Sequence, residues 1–205
     1  MSGEPERSFV EQARRANRAA LEARGVAPYA YRYERTHTAA DAVALYQDAM
    51  GEAGPMVAVA GRLAALRSQG KTIFAHLEDP SGRIQLYLRQ DALGDAWHTA
   101  ELLDLDDWVG VTGTLFRTKT GEVTVRALVL ELLAKSLRPL PRGKSQQTPD
   151  GTLTFGGLAD PEIRYRQRYA DLAVHPQVRK TFELRAEAIR FLRRFLEQRG
   201  FLEVE

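Results

Sequence analysis

The chain has 205 residues, 44% of them hydrophobic, and 29 lysine and arginine residues against 27 aspartate and glutamate residues give it a net charge of +2. This length accommodates one medium-sized domain and part of another, and the near-neutral charge does not by itself indicate a partner. The sequence contains no cysteine, and its four histidines are scattered, so we expect no disulfide and no metal site. It also lacks an apolar run of about 18 residues and a signal peptide, which predicts a cytoplasmic protein without membrane contact.

Residues 1–54 are predicted to form an N-terminal helical extension. The first helix covers residues 8–24, with a capping box at Ser8 and Glu11. Its expected apolar stripe consists of Phe9, Ala13, Ala16 and Ala20. Arg14 and Arg18 lie on the polar side, which indicates either a solvated face or an arm that contacts nucleic-acid phosphates. A second helix is predicted over residues 38–50, capped by Thr38.

Residues 55–138 have the pattern of a small β-barrel. The predicted strands cover residues 56–67, 71–79, 83–89, 107–117 and 122–135, with a helical stretch at 92–103 between the third and fourth strands. This order matches the five-stranded OB fold, in which the surface over strands two and three binds oligonucleotides.

One face of the hairpin formed by strands two and three mixes aromatic rings with hydrogen-bonding groups. With a side-chain period of two, Phe74, His76, Gln85 and Tyr87 point away from the core. A ring on such a face can stack on an unpaired base, while the amide of Gln85 can donate to and accept from a base edge. The alternative is that a neighbouring loop covers Phe74 and that Gln85 is an ordinary solvent-facing residue.

Two charged residues frame this face. Arg67 ends the first strand and could hold a phosphate or a base carbonyl, whereas Glu122 opens the fifth strand and could accept a hydrogen bond from a base N–H. Further candidates for RNA contact are Lys71, His76, Tyr87 and Lys119. Each residue taken alone is also typical of a solvent-facing strand or turn.

The remaining sequence divides into a linker and the start of a second domain. Residues 139–159 are rich in Pro, Gly, Ser and Gln, which predicts a linker in the form of a surface loop. A long amphipathic helix is predicted over residues 181–199, and a strand is expected to begin at residue 201. The apolar stripe of this helix includes Phe182, Ile189, Leu192 and Phe195.

Four stretches together resemble the N-terminal part of the bacterial class II lysyl-tRNA synthetases. They are FRTKTGE at 116–122, LRPLP at 137–141, RYRQRYADL at 164–172 and the tail from residue 181, so the resemblance covers almost the whole chain. It implies an α+β protein with N-terminal helices, a five-stranded OB-fold barrel that binds the anticodon, a linker, and at 160–205 the first long helix of a truncated catalytic domain.

The resemblance also implies functions for particular residues. Phe74 matches the ring that stacks on the central uridine of the anticodon, and Gln85 matches its hydrogen-bonding partner. Arg67 matches the strand-one arginine, and Glu122 matches the acidic residue that distinguishes the lysine anticodon. The partner is then a lysine tRNA.

Further implications concern the full-length enzyme, which uses ATP and magnesium and forms a homodimer through the motif 1 helix. The four stripe residues of the long helix are therefore candidates for the dimer interface. No catalytic residue and no cofactor are assigned to this chain, because class II motifs 2 and 3 are absent and motif 1 is incomplete. We expect it to be inactive alone.

Three alternatives remain open at the level of sequence. The rest of the enzyme could follow residue 205, or the chain could be a stand-alone RNA-binding or regulatory protein. An aspartyl- or asparaginyl-type anticodon domain is a third interpretation, against which the RYRQRYADL stretch argues.

Overall fold

A computed structural model describes residues 8–51, 54–148, 151–155 and 157–204. The chain divides into two compact units, Met1–Pro139 and Leu140–Glu205, each described here by itself. No helix within the described residues is both long enough and apolar enough to cross a membrane.

The first unit contains a closed barrel of five strands. These strands are β1 (Met56–Gln69), β2 (Thr72–Asp79), β3 (Gly82–Arg89), β4 (Trp108–Arg117) and β5 (Val123–Ala134). They close in the order β1-β2-β3-β5-β4, with β3 and β5 parallel and the other pairs antiparallel. The predicted OB fold and the α+β class are thus confirmed, because this is the Greek-key arrangement of that barrel.

The barrel core follows the predicted alternation along β2 and β3. Ile73, Leu77, Ile84 and Leu88 are almost fully buried, and the residues that alternate with the buried ones, such as Phe74 and Gln85, are partly exposed. Burying one such side chain contributes about 1.5–3 kcal/mol. The hydrophobic effect therefore fixes which face of the hairpin points outward.

The first helix, α1 (Phe9–Ala23), begins as predicted but packs through a different face. The hydroxyl of Ser8 accepts a hydrogen bond from the amide of Glu11, which caps the helix. Leu21 and Arg14 are buried, whereas Phe9 is 85% exposed, so the predicted stripe is wrong. Alanine methyl groups bury little apolar area, and the core contact of Leu21 decides the orientation instead.

The second helix, α2 (Ala39–Leu45), ends five residues earlier than predicted. Its capping box between Thr38 and Asp41 is present. Tyr46 then adopts an extended conformation, and its hydroxyl donates a hydrogen bond to the carbonyl of Gly51 at 2.9 Å. A short 3-10 turn, Asp48–Met50, follows.

The helical stretch between β3 and β4 is broken into short pieces. It consists of α3 (Gln90–Leu93), a 3-10 turn (Gly94–Ala96) and α4 (Trp97–Glu101). Gly94 has a φ of 53°, a left-handed conformation that glycine adopts without strain and that interrupts a continuous helix.

The second unit differs from the prediction at three places. The predicted loop contains a hairpin of β6 (Lys144–Thr148) and β7 (Gly151–Phe155). After α5 (Pro161–Arg166) and α6 (Arg168–Val174), the long helix α7 (Pro176–Glu197) begins five residues before its predicted start, because proline is well suited to a first helical turn. Residues 201–204 have no regular secondary structure, so no strand begins there.

The RYRQRYADL stretch folds around one buried carboxylate. Asp171 accepts hydrogen bonds from Arg164 at 2.7 Å and from Arg168, and the ring Nδ1 of His175 lies 2.8 Å from it. Burial raises the pKa of Asp171, but these partners outweigh that effect and hold its pKa below the ordinary value. The charge thus remains paired at neutral pH.

Candidate nucleic-acid interface

The outward face of the hairpin forms one wall of an open cleft of about 720 Å³, which we call the aromatic cleft. All five strands or the turns beside them contribute to it. Among the predicted residues, its lining includes Arg67, Phe74, His76, Gln85, Tyr87 and Lys119.

Strand pairing places these residues next to one another. Phe74 is the register partner of Tyr87, and His76 is the partner of Gln85. Arg67 lies opposite Phe74 because the register of β1 shifts between Leu63 and Ala65. A bulge of this kind changes which side chains share a face, so sequence alternation alone does not locate Arg67.

Aromatic rings form a continuous array along the cleft. The rings of Phe74 and Tyr87 are stacked with centroids 4.8 Å apart, and Phe116 lies 5.8 Å from Tyr87. Phe74 is half-buried, and its cover comes from Tyr87 on the neighbouring strand. The array offers a π surface of the type on which unpaired bases stack.

A hydrogen-bonded network lies beside the rings. The carboxylate of Glu122 accepts a hydrogen bond from the amide Nε2 of Gln85 at 2.8 Å, and Nε2 of His76 lies 2.9 Å from its other oxygen. Thr124 donates to the amide oxygen of Gln85 at 2.8 Å. These contacts use one donor and one acceptor of the amide, which has two of each, so Gln85 retains capacity for a ligand.

Sequence reasoning missed Phe116, Arg126 and Thr124. The guanidinium of Arg126 lies 4.7 Å from the ring centroid of Phe116, and both residues line the cleft. Arg126 is the register partner of Tyr87 across the parallel β3–β5 pair, a non-local contact that no local pattern reveals. For Phe116, the alternation of side chains along the fourth predicted strand already indicated that its ring points outward.

Three predicted RNA contacts lie elsewhere in the first unit. Lys71 lines a separate groove that shares Tyr87 with the cleft. Arg14 is buried and donates to Ser136, so the structure contradicts its expected exposure to RNA. Arg18 pairs with Glu22 at 2.9 Å, and that hydrogen bond raises the pKa of its guanidinium above the ordinary value.

The four candidates for a dimer interface lie on α7 in the second unit. Each has at least 38% of its surface exposed, and Leu192 has 57%. The guanidinium of Arg168 approaches one of them, lying 5.5 Å from the ring centroid of Phe182. Within this unit the apolar stripe is therefore largely uncovered.

Comparison with known families supports both parts of this architecture. Residues 57–133 match the family described as OB-fold nucleic acid binding domain, and residues 160–205 match tRNA synthetases class II (D, K and N). The chain thus combines an OB-fold nucleic-acid-binding domain with sequence from a class II synthetase domain.

The curated relatives narrow this class. The chain is 47% identical to a lysine–tRNA ligase of Carboxydothermus hydrogenoformans over 88% of its length, and 42% identical to that of Bacillus subtilis over 95%. A Clostridium perfringens lysine–tRNA ligase is 41% identical over 98% of the chain. The resemblance to the N-terminal region of the class II lysyl-tRNA synthetases is confirmed. The matched regions span 34% to 38% of the three relatives.

Proposed function

We propose that the barrel recognises the anticodon loop of a lysine tRNA through the aromatic cleft. The observation that carries this proposal is the stacked pair Phe74–Tyr87 next to the Gln85–Glu122 hydrogen bond. Rings supply affinity for any base, whereas an amide and a carboxylate discriminate between base edges. The lysine–tRNA ligase relatives support lysine tRNA as the partner.

In this proposal Phe74 stacks on the central base, and Gln85 donates to and accepts from its edge. Glu122 accepts a hydrogen bond from an N–H group of a neighbouring base. Arg67 and Lys119 on the rim neutralise backbone phosphates, which positions the loop without reading its sequence.

The activity of the whole protein is part of the same proposal. The complete enzyme would attach lysine to tRNA with ATP and magnesium, and the exposed stripe of α7 would join a homodimer interface. We assign no catalytic residue to this chain. No group of three His, Asp or Glu side chains able to hold a metal ion is found among its described residues.

Binding of anticodon stem-loops tests the cleft directly. We expect the chain to prefer a UUU loop to a GUC loop, and Phe74→Ala to weaken UUU binding by about 1–3 kcal/mol, the contribution of one stacked base. This corresponds to roughly 5- to 150-fold in Kd, measured by fluorescence anisotropy at a stated salt concentration. Affinity should fall as salt rises, because phosphate contacts release counterions.

Tyr31→Ala is the matched control, because Tyr31 is a fully exposed aromatic residue that does not line the cleft. It should bind UUU as the unmodified chain does. Equal binding of both loops, together with an unaffected Phe74→Ala variant, would refute the proposal. A preference for GUC would instead favour an aspartyl-type domain.

A further inference from the structure

Arg117, the last residue of β4, joins two segments that are far apart in sequence. Its Nε donates to the carboxylate of Asp48 at 2.6 Å, and its Nη1 donates to the carbonyl of Gly121 at 2.7 Å. The guanidinium also lies 5.4 Å from the ring centroid of Tyr46. One side chain therefore connects the segment after α2 with the turn between β4 and β5.

That turn carries Glu122 directly after Gly121. The amide of Thr118 donates to the carbonyl of Glu122 at 3.0 Å, and the amide of Glu122 donates to the hydroxyl of Thr118 at 3.1 Å. The turn is thus closed by its own hydrogen bonds, and Arg117 fixes it from outside. The side chain of Glu122 then reaches Gln85 and His76.

We propose that Arg117 is a positioning residue, which ties residues 46–51 of the N-terminal extension to the β4–β5 turn and thereby sets where Glu122 meets an anticodon base. This inference rests on the proposed function, since it concerns the reading of the loop. It gives the N-terminal extension a function in base selection that requires no contact between residues 46–51 and RNA.

The Arg117–Asp48 ion pair is exposed, so its effect on the position of the turn can be measured apart from any effect on folding. The side chain of Asp48 is 77% exposed and that of Arg117 is 39% exposed. Exposed ion pairs add little to the free energy of unfolding. Removing the contact should therefore leave the melting temperature unchanged while the turn, and Glu122 with it, becomes less restricted.

The test compares Asp48→Ala and Arg117→Met in the 205-residue chain. Asp48→Ala breaks the connection but keeps the guanidinium, so any direct contact of Arg117 with a phosphate survives. Binding is measured for UUU loops and for loops in which one anticodon base is changed. We expect both variants to reduce the preference for UUU by about two- to fivefold, within the range of an exposed ion pair.

Arg32→Ala is the matched control, because Arg32 also forms an exposed ion pair, with Glu34, and does not line the cleft. Like Arg117→Met, it removes one positive charge, and it should keep the full preference for UUU. In a Glu122→Gln background, Asp48→Ala should have no further effect on the preference, since the residue being positioned is then altered.

The outcomes are distinguishable. If the unmodified chain shows no preference for UUU, the proposed function fails and this inference with it. If it prefers UUU and Asp48→Ala retains that preference in full, the inference alone is overturned. A uniform loss for all loops in Arg117→Met only would likewise overturn it, because that result identifies Arg117 as a phosphate contact.

Discussion

Gln85, the proposed base-reading residue, is held in one orientation by its neighbours. Thr124 donates to its oxygen and Glu122 accepts from its nitrogen, so the side-chain amide has one orientation before any ligand arrives. Fixing the rotamer in the free protein removes part of the entropy cost of binding. The remaining donor and acceptor sites on the amide are therefore presented in a fixed geometry.

Asp79 is a second residue with a specific function, and it predicts how the free energy of unfolding depends on pH. Its carboxylate accepts from Ser81, Gly82 and Ala39, so it closes the β2–β3 turn and caps the first turn of α2. Burial raises the pKa of Asp79, but these hydrogen bonds outweigh it and hold the pKa below the ordinary value.

A carboxyl group whose pKa is lowered by folding stabilises the fold at pH values above its unfolded pKa, which is about 3.9 for aspartate. This contribution is lost as the pH falls through the pKa of the folded state. We expect Asp79→Asn to reduce the free energy of unfolding at pH 7 by about 1.5–3 kcal/mol, because its NH₂ group cannot accept from a backbone amide. Urea denaturation at several pH values measures this. The difference from the unmodified chain should shrink below about pH 4, and a difference independent of pH would contradict the assignment.

At the scale of elements, the β2–β3 hairpin was predictable because buried and partly exposed side chains alternate along both strands. The cleft was predictable where one hairpin forms it, as with Phe74 and Gln85, and where a strand end or turn adjoins that hairpin, as with Arg67 and Lys119. Arg126 reaches the cleft through the parallel β3–β5 pair, and the face of α1 is selected by the docking of Leu21. Both depend on contacts distant in sequence, which local patterns do not contain.

A buried lysine lies where α1 meets the barrel. Lys135 lies 2.6 Å from both Asp104 and Asp107, and Asn17 of α1 donates to Asp104 at 3.1 Å. Neither Lys135 nor Asp107 has an exposed side chain. We expect Lys135→Met to lower the free energy of unfolding by about 3–5 kcal/mol, because it leaves a buried carboxylate without its cation.

Chemical denaturation measures this loss, with Lys119→Met as the control because Lys119 is an exposed turn residue. The control should unfold at nearly the same denaturant concentration as the unmodified chain. Equal stability of all three proteins would mean that the buried lysine does not anchor this end of the barrel.

For the whole molecule, the division into two units predicts separable properties. Every residue placed in the aromatic cleft belongs to the first unit, whereas the exposed apolar residues of α7 belong to the second. A chain ending at Pro139 should therefore bind the UUU loop within about twofold of the 205-residue chain, since independent sites perturb each other by only about 0.3–0.5 kcal/mol.

The same truncation should change self-association. Phe182, Leu192 and Phe195 expose apolar surface that a second copy can bury, so the 205-residue chain should associate as its concentration rises. Analytical ultracentrifugation of both chains compares them directly, and the shorter chain should sediment as a monomer at every concentration. If the shorter chain associates equally, the surface responsible lies on the barrel unit. If it loses UUU binding while remaining folded, RNA recognition requires the second unit as well.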